Sequence, residues 1–253
     1  MLRRLNSIVL AGSAIALIVC FWNRNAIPAG IAFQPALDAE PVQRKISKRP
    51  FTVDYNGVSY RVEPEYDYEL FGLVVSYRQH DGESLMHRLS RDKLNMADVC
   101  VVWSDTAFSE HLGELDFWNG VFTCNVKTRD PVAWAAFDIH ELSNNHLISA
   151  DPYIRARVGD VRVGDQIRIA GWLSNYGAIP EGATNPDRIA LRKTSITRED
   201  SGNGACETIF VNEFDIVAPA HSIWRIGLAT AAAALLATIV IHFLLPYRPY
   251  RDG

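Results

Sequence analysis

The chain has 253 residues, with 25 Lys and Arg against 29 Asp and Glu, a net charge of −4. Charged residues at 21% and aromatic residues at 10% exclude disorder over most of the length, and the lack of a basic excess excludes a general nucleic-acid-binding surface. Between two apolar terminal runs stand about 170 residues, enough for one domain with its own core.

Residues 1–4 are a short basic start, and residues 5–22 form an apolar run broken by Asn6, Ser7 and Ser13. Such a run is either a signal peptide or an uncleaved anchor, and the anchor is the preferred reading. Residues 23–50 hold four prolines and no periodicity, so they read as a linker, with a basic knot between Arg44 and Arg49.

From residue 51 the pattern changes to period two. Asn56-Gly57 sits between two alternating runs and predicts a hairpin, because a type I′ turn needs positive φ at both central positions. A strand follows over 68–77, with Gly72 marking a bulge or a close approach. Residues 80–95 are polar, and 96–103 read as a buried strand that carries Cys100. Asn119-Gly120 between aromatic runs suggests a second hairpin, and 131–137 a short helical turn.

The stretch 140–148 is polar. Ser143, Asn144 and Asn145 are expected to bond the backbone of a tight turn, with His146 a partly buried packing residue. Gly164-Asp165 predicts a turn, and Ile167 and Ile169 alternate with Gln166 and Arg168 as in a half-buried strand. Further strands are expected over 191–197 and 207–217, around a turn-rich tip at 198–205.

These short strands define a mainly β domain over 51–220, a small barrel or a sandwich. Within it, Val161-Arg-Val-Gly-Asp-Gln-Ile-Arg-Ile-Ala-Gly171 resembles the turn-and-strand of OB-fold-like small barrels, where a Gly-Asp turn opens a strand and a glycine lets it bend. The layout of two spans bracketing a β-rich domain also resembles "beside-a-membrane" modules. Both resemblances imply a fold, not an activity.

Residues 226–245 are the longest apolar run, with His242 as their one ionisable side chain. Twenty helical residues cover about 30 Å, the hydrocarbon thickness of a bilayer. Trp224 and Arg225 flank one end, and Tyr247, Arg248, Tyr250 and Arg251 the other, as headgroup-level residues do. The span is therefore drawn over 223–246, with a basic tail at 247–253. Arg3, Arg4, Arg248 and Arg251 place both termini in the cytoplasm by the positive-inside rule, and the domain outside it. Arg24 and the knot at 44–49 count against this, although most of them lie too far from the span to weigh much.

Few residues offer chemistry. Cys124 and Cys206 sit beside turn signals and are the disulfide candidates, while Cys100 suits a buried thiol. Cys206 behind a glycine-rich turn is also a candidate nucleophile, with His140 or His146 as base. His140 and His146 are six apart, which suits neither a zinc helix nor any other metal motif, so no metal site and no cofactor is expected. Arg162 and Arg168, also six apart, are candidates for contact with an anion or a lipid headgroup. Ala229, Ala233 and Ala237 form a small-residue surface for helix packing. The favoured reading is a membrane-anchored, non-enzymatic accessory or scaffold protein. Its partners would be the bilayer and a membrane protein, or a second copy held through the C-terminal helix, and no nucleic acid. The alternative is a membrane-anchored hydrolase or thiol enzyme using Cys206.

Overall fold

A computed structural model describes the chain except for residues 1, 29, 81–91, 121–122, 184, 186–187, 198–205 and 245–253. The chain divides into two compact units, Met1–Pro28 with His221–Gly253, and Ala29–Ala220.

The first unit is a helical hairpin of α1 (Leu2–Asn23) and α5 (Ile223–Leu244). Both are long and apolar enough to cross a membrane, and only 11% of an 18-residue apolar stretch in either is buried. Arg225 Nε donates to Arg24 O, and Asn6 Nδ2 to Thr238 O (3.1 Å each), so the helices run antiparallel. The seam is built from small or polar groups: Asn6, Ser13, Ala231 and Thr238 are buried, and a Cβ on Gly227 would lie 2.8 Å from Cys20 Sγ. Close backbone approach is how helices gain contact where lipid is as apolar as leucine. Ala229, Ala233 and Ala237 are exposed. Within this hairpin the packing surface is therefore Gly227, Ala231 and Thr238, on a different face from the one the alanine spacing suggested.

The second unit is a large mixed β sheet. Its strands are β1 (Val42–Lys45), β2 (Phe51–Tyr55), β3 (Val58–Gln79), β4 (Asn95–Val102), β7 (Leu142–Ile148), β8 (Gln166–Ala178) and β9 (Cys206–Ala218). A separate ribbon pairs β5 (Asp116–Asn119) with β6 (Cys124–Lys127). In the main sheet β3 pairs β4, β4 pairs β7, β7 pairs β9 in parallel, β9 pairs β8, and β8 returns to β3. The sheet thus meets itself through β3, unevenly: residues 60–73 of that strand serve β8 and residues 73–79 serve β4. β1 and β2 add to β3 from outside this ring.

Local chemistry explains the main features. Asn56 and Gly57 both have positive φ, as the β2–β3 hairpin requires. Two runs expected to be separate strands are one 22-residue β3, which passes Pro64 by a register shift between Pro64 and Tyr66. Gly72 is a close approach, since a Cβ there would lie 3.0 Å from that of Val101. Gly171 falls at a register shift against β9, where a Cβ would collide with Phe210 O. Gly164 takes φ 91°, and the neighbouring Asp165 accepts from Arg162 N and Ala220 N, both at 2.7 Å. That carboxylate ties the start of β8 to the end of β9.

Inward residues alternate along the strands: Val99, Val101, Leu147, Ile167, Ile169 and Ile209 are fully buried. Each such side chain contributes roughly 1.5–3 kcal/mol through removal from water. Helix α4 (Pro152–Gly159) begins at Asp151, whose carboxylate accepts from Tyr153 N and Ile154 N, with Pro152 in the first turn. Its Ile154 and Val158, one turn apart, enter the same core.

Three expectations change. The linker over 23–50 is partly built into the unit: Leu37 is fully buried in a 3₁₀ turn (Pro35–Asp38), and β1 pairs with β3. The stretch 143–146 is no turn but part of β7, whose polar side chains are buried. Residues 191–197 make only a single bridge, Arg192 to Tyr176. The tip expected at 198–205 lies outside the described residues.

Between β4 and β7 the chain makes a long excursion. It holds α2 (Ser104–Phe108), the β5–β6 ribbon, and α3 (Pro131–Ala135), which Asp130 caps. Thr106 stitches its ends together, its backbone N–H donating to Glu141 Oε2 (2.7 Å) and its hydroxyl accepting from Asp138 N (3.0 Å).

Candidate functional site

Among the described residues, a dense constellation of titratable groups surrounds His146. Strand register places His146 opposite Asp98 and Asn144 opposite both Cys100 and Cys206. On β7, residues 144 and 146 point away from the face that carries Leu147 into the core. A row of polar groups therefore lies on the outer face of β4, β7 and β9, covered by other parts of the chain.

His146 is fully buried. Its Nδ1 lies 2.7 Å from Asp98 Oδ1, and its Nε2 lies 2.7 Å from the Tyr176 hydroxyl. That hydroxyl gives its one proton to Asp92 Oδ2, also at 2.7 Å. The tyrosine oxygen can then only accept from Nε2, and Nδ1 faces a carboxylate. Both ring nitrogens donate, so His146 is an imidazolium. Burial works against this charge, but hydrogen bonds to Asp92 and Asp98 overcome it and raise the His146 pKa. Arg192 Nη1, 3.3 Å from Nε2, opposes the charge. Asn95 Nδ2 lies 3.1 Å from Nδ1, and turning the amide over would bring its oxygen, which has no hydrogen-bond partner among the described residues, to face the imidazolium.

Asp98 accepts on its other oxygen from His80 Nε2 (2.8 Å). Burial alone would push its pKa up, but the bonds from His146 and His80 hold it well below the usual carboxylate range. Asp92 is lowered in the same way, against burial, by His146, Tyr176 and the backbone of Asn95. Burial and the Asp92 charge raise Tyr176 far above its ordinary value. The arrangement sets two carboxylates against an imidazolium and Arg192. It ties β3, β4, β7, β8 and the 192 bridge together.

The residues expected to act are distributed differently. Cys124 pairs with Cys100, not with Cys206. The reason is topological: the β5–β6 ribbon lies over β4, with Asn119 donating to Asp98 O and its backbone N–H to Ser76 Oγ, so Cys124 arrives above Cys100. Asn119 is the last residue of β5, not the centre of a two-residue turn.

Cys206 is a buried thiol outside the disulfide that accepts from Asn144 Nδ2 at 3.1 Å, and burial raises its pKa. A nucleophile needs the opposite shift and a free base. His146 has both nitrogens committed. His140 stands exposed on a 3₁₀ turn (Ile139–Glu141), its backbone N–H donating to Asp138 Oδ1.

The two arginines are not a pair. Arg162 lies outside the strands and donates to Gly159 O and Val161 O, closing the end of α4. Arg168 on β8 is held by Glu69 and Glu213 at 2.7 Å each, with Asp215 at 3.6 Å. A guanidinium surrounded by three carboxylates is a poor anion site. Among the described residues no group of three or more His, Cys, Asp or Glu is placed to hold a metal ion.

Asp98 could be noticed in sequence only as one acidic residue among several, and Asp92, Tyr176 and Arg192 had no signal at all. Compared with protein-family models, curated proteins and solved structures, the chain matches none.

Proposed function

We propose that this is a membrane-anchored, non-enzymatic accessory or scaffold protein, holding a β-rich unit beside the bilayer for assembly with a membrane protein. The observation that carries the reading is the helical hairpin. Each 22-residue apolar helix has only 11% of its 18-residue apolar stretch buried, and the remaining apolar surface needs lipid or another span. The buried cluster around His146 supports the non-enzymatic part, since the charges of His146, Asp92 and Asp98 are matched to one another.

The β unit reads as an OB-like small barrel. Five strands in the ring order β3-β4-β7-β9-β8, a parallel β7–β9 pair and a helix between β7 and β8 support this. The Cys100–Cys124 disulfide supports an extracytoplasmic unit, since such bonds persist in oxidising compartments, with both termini cytoplasmic.

Crosslinking the full chain in intact membranes, followed by detergent extraction, tests the assembly. The reading predicts one recurrent partner, or a discrete self-associated species, in fixed ratio to the chain. A chain that stays monomeric and alone contradicts it. The thiol-enzyme alternative predicts fast native labelling of Cys206 by iodoacetamide, whereas the buried thiol predicts labelling only after unfolding.

A further inference from the structure

The excursion over residues 104–141 is unlike the rest of the molecule. It holds seven Asp and Glu against two Lys and Arg, a net −5, whereas the whole chain is at −4. It also exposes large apolar side chains: Trp134 is 55% exposed, Ile139 52% and Val132 55%, with Trp118 and Phe108 exposed as well. Trp134 and Phe137 are in ring contact, and Phe137 meets Phe117 edge-on. Trp134, Phe137, Ile139 and Glu141 line a hollow of about 600 Å³, with Asp105 and Asp138 among its walls. The excursion is held in place by the Cys100–Cys124 disulfide and the Thr106 stitches, so the hollow is preformed.

Clustered aromatic exposure marks a contact surface. Charge decides the occupant. Membrane surfaces are neutral or anionic, and five excess negative charges oppose an anionic one. A protein segment with an apolar anchor flanked by Lys or Arg satisfies both the hollow and its field. We infer that the hollow around Trp134 and Ile139 docks a basic, apolar-anchored segment of a partner protein. This rests on the assembly reading above and names the chemistry of its partner.

The test uses the full chain in detergent micelles against a phage library of random dodecapeptides. Enriched sequences should carry an aliphatic or aromatic residue flanked by Lys or Arg. The synthetic form of an enriched peptide should bind more weakly as salt rises. Trp134→Ala should weaken it at least about tenfold, and so should Ile139→Ser, a second exposed position. Tyr153→Ala, exposed on α4, should leave binding unchanged. No enrichment, enrichment without basic flanks, or binding untouched by both hollow variants overturns the inference. So does quenching of Trp134 by brominated phosphatidylcholine in reconstituted vesicles, read as the difference between the wild type and Trp134→Phe, because lipid would then fill the hollow. If membrane crosslinking still recovers a partner from Trp134→Ala in undiminished yield, the docking surface fails while the assembly reading stands.

Discussion

At the residue scale, the proton count around His146 governs how the unit responds to pH. Folding raises the His146 pKa, so its contribution to stability is whole below the unfolded value of about 6.5 and is lost as pH rises through the folded value. Asp92 and Asp98 are depressed, so theirs is whole above the unfolded carboxylate value of about 3.9 and is lost as pH falls through the folded values. The network therefore contributes most between roughly pH 4 and 6.5. Denaturant midpoints measured across pH should fall on the alkaline side of that window, and His146→Gln should flatten the fall. Asp98→Ala leaves a buried imidazolium facing a void and should cost about 3–5 kcal/mol in the same assay. A loss under about 1 kcal/mol would mean that the network is solvated. None of this was legible in sequence. Ser143-Asn144-Asn145-His146 has the composition of a turn, and only pairing with β4 and β9 supplies the partners that let those side chains be buried.

At the scale of elements, sequence was most informative where conformation is decided locally. Asn56-Gly57 fixed a hairpin because positive φ at two successive positions is a property of those residues. Gly164-Asp165 announced the turn before β8, and Ile167 and Ile169 its buried face. The cysteine pairing failed for the opposite reason, since it depends on where the β5–β6 ribbon lies over β4. The Cys100–Cys124 bond closes a loop of 24 residues and should contribute about 3 kcal/mol. Reduction, or Cys124→Ser, should lower the unfolding midpoint and speed hydrogen exchange in the excursion first; exchange that stays uniform would contradict this. In the helical hairpin, Ala229, Ala233 and Ala237 lie off the internal seam, because many Ala-rich faces are equivalent in sequence. Gly227→Cys should form a disulfide with Cys20 on mild oxidation, detectable as a loss of two hydrogens by mass, because the Cβ position is already in reach. Failure to crosslink would mean a different helix register.

At the scale of the whole molecule, the two units place their apolar side chains in opposite ways. Ala29–Ala220 hides its aliphatic residues inside a sheet, whereas α1 and α5 turn theirs outward. That inversion was plain from composition, since runs of about twenty apolar residues need no tertiary information to be recognised. Alkaline carbonate extraction of membranes carrying the full chain tests it most directly. The account predicts that the chain stays in the membrane pellet and leaves it only with detergent. Release of the intact chain into the carbonate supernatant would show that lipid is not the solvent of α1 and α5, and would contradict the account.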